Sequence, residues 1–218
     1  SHAWGVYFGN GYANYEYGNK NYSSRVRVIR AFGYTLGCMD ETVCNYIPEA
    51  NMADGSCEYP ELGYDCEGNF TEYVVGMQDE GGIVFYIDST GERGLVAALE
   101  DLGRFEWGCY GESVNGADGQ AIGTGYQNTL DIVNQGCSTE NGGITAAQAS
   151  LDAEINGYSD WYIPSDDELK EIYYTIGNGG PEGNIGGFES YWYWSSSEIN
   201  SNDAWNVSFD DGDSFNFN

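Results

Sequence analysis

The sequence predicts an α+β chain: a β-rich domain with two helices, joined to a small disulfide-stapled module. Three observations predict it. A strand-turn-strand segment occurs twice, because Ala3, Trp4, Val6, Phe8 and Gly11 in residues 1–17 match Ala204, Trp205, Val207, Phe209 and Gly212 in residues 202–218. Four of the six cysteines (Cys38, Cys44, Cys57 and Cys66) crowd into residues 33–70, where hydrophobic periodicity is lost. Residues 71–218 mix apolar strand runs with helical segments. Composition agrees: 32 Gly, 19 Tyr and only 4 Pro suit a loop-rich, β-dominated fold.

Three segments follow: 1–32, terminal strands of a preceding or neighbouring domain; 33–70, a Cys-rich linker module; and 71–218, the large domain. In the first, residues 3–8 and 13–17 flank Gly9-Asn10-Gly11, a strong hairpin signal. Residues 25–30 alternate charged and β-branched side chains, as a half-buried strand does. The module has too little apolar surface to fold without cross-links or metal. In the large domain, Ile83-Val84-Phe85-Tyr86-Ile87 reads as a continuous apolar strand, with 95–99 as its hairpin partner. A long Gly/Asn-rich stretch, 108–143, carries Cys109 and Cys137. Residues 145–155 read as a helix. A second helix starts at Ser165, where Glu168 three residues on makes a capping box, and stops at Gly177. Residues 191–197 and 204–209 are further strands.

The net charge is −28, from 35 acids against 7 Lys and Arg, so nucleic acid and anionic membranes are poor partners. Four of the seven basic residues lie in the first 32. No CxxC pair is present and His2 is the only histidine, so zinc lacks ligands. An even number of cysteines predicts disulfides in an oxidising, extracellular setting. Neither a signal peptide nor a long apolar run is present; membrane insertion is not expected, and an export signal would lie upstream.

Several motifs recur in a familiar order: Gly81-Gly82-Ile83-Val84-Phe85-Tyr86, Trp107-Gly108-Cys109-Tyr110-Gly111, Gly123-Thr124-Gly125 with Asn128-Thr129, Asp160-Trp161-Tyr162-Ile163-Pro164-Ser165, and Tyr193-Trp194-Ser195-Ser196-Ser197-Glu198. Residues 73–218 thereby resemble the C-terminal domain family of the Legionella collagen-like adhesin, found also in Bacteroidota surface proteins. The resemblance implies a C-type-lectin-like fold. It also implies that such a domain ends with a strand like residues 25–32, which here stands at the other end of the chain. The stretch Gly37-Cys38-Met39-Asp40 … Asp54-Gly55-Ser56-Cys57 is similar to a cysteine module of secreted Bacteroidota proteins, which implies a Cys38–Cys57 bond and leaves Cys44 to Cys66. Spacing alone leaves three pairings open.

Candidate site residues fall into four groups. Asp40, Asn45, Asn51 and Asp54 are hard oxygen ligands in one small loop, which suits Ca²⁺; the alternative is a set of Asx-turns. Glu198 follows an apolar strand and needs a cation, which Arg25 or Arg27 of a neighbouring unit would supply as a structural ion pair. Val26, Val28, Ile29 and Arg30 make an assembly strand. Trp205, Asp210, Asp211 and Asp213 form a candidate ligand loop, although a plain hairpin turn is favoured there.

Catalysis is not expected. His2 cannot anchor a Ser-His-Asp arrangement, and the capping box accounts for Asp166, Asp167 and Glu168. Formylglycine-generating enzymes share the implied fold, but they need reactive cysteines, whereas Cys109 and Cys137 read as a pair. The Trp-Asn-Asp calcium motif of sugar-binding lectins is absent, since Val207 follows Trp205-Asn206. The expectation is a structural repeat or subunit of an extracellular bacterial filament or giant adhesin. Its partners are copies of itself, assembled end to end by strand donation or as a tandem array. The alternative is a lectin-like adhesin module that binds a glycan or host protein.

Overall fold

The computed structural model describes residues 3–14, 20, 21, 23–30 and 32–215. Its chain divides between Tyr59 and Pro60 into two compact units.

The first unit opens on the expected hairpin, β1 (Gly5–Tyr7) and β2 (Tyr12–Asn14), antiparallel with Val6 opposite Ala13. The turn closes where the Gly11 N–H reaches the Tyr7 carbonyl at 2.9 Å. Residues 15–17, expected to extend this hairpin, lie outside the described residues. Residues 25–30 do not form the expected strand: they are exposed and in no ladder. Their alternation is right for a strand, but a strand needs a neighbour to take its backbone groups, and no described strand pairs with them. The cysteine module follows, with a short parallel pair, β3 (Leu36–Gly37) and β4 (Met52–Ala53). Its interior is small: Cys38, bonded to Cys57, and Val43 are its buried apolar residues.

The second unit holds three α-helices, where the sequence predicts two. One sheet is β5 (Gln78–Asp79), β6 (Gly82–Ile87) and β7 (Gly94–Ala97), with β6 central. The other is β8 (Trp192–Asn200), β9 (Asp203–Ser208) and β10 (Ser214–Phe215), with β9 central. Between them in sequence come α1 (Gly125–Gln135), α2 (Ala146–Leu151) and α3 (Asp166–Thr175). Predicted strands 83–87, 95–99, 191–197 and 204–209 therefore appear as β6 to β9. The predicted 145–155 helix is α2, cut short at Leu151. Ala153 onward turns instead, with Asn156 and Gly157 both at positive φ. The extra helix, α1, lies in the Gly/Asn-rich stretch and ends at Gly136 in the left-handed conformation.

Two cores hold this unit. In the first, Leu169, Ile172 and Ile176 of α3 and its C-cap meet Ile83 and Phe85 of β6 and Val207 and Phe209 of the β9 arm. In the second, Trp107, Ile132, Ala147, Ile163 and Ala204 meet. Residues 60–70, expected in the cysteine module, fall in this unit: Phe70 meets Tyr73 edge-on at 4.9 Å, and the Tyr64 hydroxyl donates to Asp79. All six cysteines are disulfide-bonded, with Cys109 joined to Cys137 as predicted. Oxidation throughout fits an oxidising, extracellular compartment. No helix among the described residues is long and apolar enough to cross a membrane.

Candidate functional site

The repeated segment is a repeated structure. Val207 stands opposite Ser214 and Asn206 opposite Phe215, while Val6 stands opposite Ala13 and Gly5 opposite Asn14. Laid over each other, the two hairpins have one register. Their surroundings differ completely. Val207 and Phe209 are both 0% exposed, because β8 covers the second edge of β9 and α3 lies beneath. Val6 is 55% and Phe8 is 96% exposed. Beyond the hairpin, Val26 and Val28 are each 86% exposed and Ile29 is 95% exposed. The segment expected to act in assembly thus presents apolar side chains to solvent, beside Arg25, Arg27 and Arg30.

Among the concave surfaces of the second unit, two reach the edge strand β7. A cleft of about 540 Å³ touches both edge strands, β7 through Leu95 to Ala97 and β8 through Tyr193 and Trp194. Its floor is the first core. Four acids line it, Glu100, Asp101, Glu168 and Glu189, against the single base Arg104. Arg104 lies 4.1 Å over the Tyr191 ring and donates to its hydroxyl. The Tyr193 hydroxyl donates to Asp101 at 2.8 Å, and burial with that bond pushes its pKa up.

A smaller cavity of about 410 Å³ is lined by Tyr73, Tyr158, Trp161 and Tyr162 with Glu80 and Arg93. Glu80 accepts from Tyr73 at 2.9 Å and from Tyr158 at 3.1 Å, so one carboxylate orients two rings. Burial pushes the Tyr162 hydroxyl up to about 12.

Comparison with protein-family models, curated proteins and solved structures gives no match.

The sequence-predicted calcium set is occupied by internal hydrogen bonds. Asp40 accepts the Thr42 N–H and hydroxyl and the Tyr59 hydroxyl. Asp54 accepts the Ser56 N–H, and Asn51 accepts the Thr35 N–H. Asn45 donates to the Ser56 carbonyl and accepts from Glu58 N–H, tying the loop to the 56–58 segment. The Thr42 and Ser56 bonds are what hold Asp40 and Asp54 below the usual carboxylate range. Among the described residues, no three His, Cys, Asp or Glu side chains converge as a metal-holding group.

Glu198 is half-buried and accepts the Val114 N–H at 2.9 Å; burial raises its pKa. Asp210, Asp211 and Asp213 sit in the turn between β9 and β10, where Asp211 accepts the Asp213 N–H. Trp205 lies under the Lys170 ammonium, 5.6 Å from it. Lys170 itself pairs with the buried Asp166 at 2.6 Å, while the Asp166 N–H donates to Ser197.

Sequence reasoning missed a buried polar seam that fastens the motifs together. Asn128 donates to the Gly119 carbonyl and Ser196, and Ser197 donates to the same carbonyl. Trp107 donates to the Ser195 carbonyl at 2.9 Å. The Asn128-Thr129 and Ser195-Ser196-Ser197 motifs were the visible signal. Their chemistry is that of a fastening, because each hydroxyl and amide named here is spent on a neighbour.

Proposed function

We propose that the chain is a structural repeat or subunit of an extracellular bacterial filament or giant surface adhesin, carrying a C-type-lectin-like second unit. Residues 1–32 play the part of that domain's last strands for a neighbour. One observation carries this reading: the hairpin at 5–14 repeats the register of the hairpin at 206–215, yet its apolar face is exposed where the other is buried. Apolar strands with an open edge invite another chain. Full oxidation of the cysteines supports life outside the cell. Electron microscopy of the purified chain tests it. Fibres or end-to-end strings are expected; monodisperse single particles at high concentration would sink the reading.

Ca²⁺ on the cysteine module would add to the hydrogen bonds of Asp40, Asn45, Asn51 and Asp54 rather than replace them. A thermal melt in EDTA against one in millimolar CaCl₂ decides it. A rise of several degrees with calcium supports a bound ion; coincident melts leave the module to its disulfides.

A second reading is supported by the aromatic cavity. Tyr158, Trp161 and Tyr162 offer ring faces, and Glu80 and Arg93 offer polar groups, the usual equipment for stacking a sugar. Glycan binding that is lost in Trp161→Ala would favour it.

A further inference from the structure

We infer that the cleft between β7 and β8 is the acceptor slot for residues 25–30 of a second copy, which would enter as an added strand. The inference rests on the end-to-end reading above and names the surfaces that would carry it.

The slot has the parts that strand addition requires. β7 is the last strand of one sheet and β8 the last of the other, and the cleft touches both. A strand laid along β7 would take up backbone groups that no described strand pairs with on that edge. Beneath it, Leu169, Ile172 and Phe188 offer an apolar floor continuous with the first core. The rim is acidic at Glu100, Asp101 and Glu189.

The donor matches on three counts. Its alternation places Arg25, Arg27 and Ile29 on one face and Val26, Val28 and Arg30 on the other. Arg25 and Arg27, on the face away from Val26 and Val28, complement the acidic rim, whereas the only cleft arginine, Arg104, is already held by Tyr191. Six residues span about 20 Å as a strand, enough to run the length of β7. The occupant is also written into the repeat. In the N-terminal copy, residues 25–30 follow the hairpin whose twin, β9 and β10, stands beside the cleft-lining strand β8.

The test uses the full chain with a photoreactive benzoylphenylalanine at position 28, replacing the exposed Val28. Copies labelled with heavy and light nitrogen are mixed, irradiated and digested, and cross-links are mapped by mass spectrometry. Cross-links joining heavy to light copies and landing on 95–98 or 193–194 are expected. Heavy-to-light cross-links elsewhere would overturn the slot while leaving end-to-end assembly standing. Cross-links confined to one copy would overturn the second-copy donor. A sample without assemblies that also ignores added peptide would overturn both inferences.

That peptide, residues 23–32 with a fluorescent label, provides the second measurement. It should bind the full chain, and its Arg25→Glu, Arg27→Glu form should bind about tenfold more weakly. A scrambled peptide of the same composition that binds equally well would reduce the contact to charge attraction and overturn the strand. Finally, Val26→Asp with Val28→Asp alters only exposed positions, so the chain should fold as before and lose its assemblies. Unchanged assemblies would overturn the proposal.

Discussion

The carboxylate of Glu168 occupies the space that a side chain on Gly125 would need. Glu168 belongs to the capping box of α3, accepting the Ser165 N–H at 2.7 Å while the Ser165 hydroxyl accepts the Glu168 N–H. Its other oxygen accepts the Gly123 N–H at 2.7 Å, two residues before α1 begins. Thr124, the N-cap of α1, makes no side-chain cap bond of its own. One buried carboxylate therefore secures the start of two helices.

Removing that carboxylate strands the buried Ser165 N–H, frees the Gly123 N–H and opens the cap. Glu168→Ala is expected to cost about 2–4 kcal/mol. Gly125→Ala should cost a comparable amount, because the new methyl would displace Glu168 from both donors. Urea denaturation followed by tryptophan fluorescence reads both. A cost under about 0.5 kcal/mol for either would show that the junction relaxes freely.

Phe8 and Phe209 supply a paired comparison. Phe209 packs against the Tyr193, Phe188 and Tyr173 rings at 4.6, 4.8 and 5.5 Å. Phe209→Ala should destabilise the second unit by about 3–5 kcal/mol. Phe8→Ala should move unfolding of the isolated chain by less than about 0.5 kcal/mol. Equal costs would mean that the N-terminal hairpin is buried in solution.

Glu198 gives the second unit a pH signature. Burial raises its pKa, so near the ordinary glutamate range the folded chain binds more protons than the unfolded chain. The contribution of this group to stability therefore falls as pH rises through that window. In Glu198→Gln the amide oxygen can still accept the Val114 N–H, and nothing titrates. The variant should be more stable than the parent at about pH 7, with the gain vanishing towards about pH 4. Denaturation midpoints at the two pH values test it; a variant less stable at neutral pH would show that the charge itself is needed.

The Cys109–Cys137 bond closes a separation of 28 residues, which spans α1. Chain-entropy arguments place its contribution at about 3–4 kcal/mol. Replacing both cysteines by alanine should lower the melting point of the second unit clearly, by calorimetry. An unchanged melting point would mean that the polar seam and the second core hold that loop unaided.

The strands and α3 were legible because their signals are local. Ile83 to Ile87 form an unbroken apolar run, and Ser165 with Glu168 spells out a helix start. α1 was not legible, because its buried face is Gly125, Asn128, Thr129 and Ile132, with one aliphatic residue among four. Its stability comes from long-range partners such as Gly119 and Glu168, which no window of sequence contains. Residues 25–30 show the converse. Their pattern is correct for a strand, and the missing ingredient is a neighbour. The cleft was invisible for a third reason, since its walls come from positions near 95, 165 and 193.

The uneven placement of charge would also govern how copies meet in the proposed assembly. The first 32 residues hold four bases and the single acid Glu16, a net +3, so the remainder carries −31. Two bodies approaching each other repel, whereas a tail approaching a body is drawn in. In the end-to-end assembly proposed above, encounters would be sorted before any contact forms: head-to-tail collisions would be favoured and side-by-side ones turned away. Such sorting would have a polarity and keep growth thin. Salt weakens both the attraction and the repulsion, so in such an assembly the ionic strength of the surroundings would set how fast ends join and whether strings bundle.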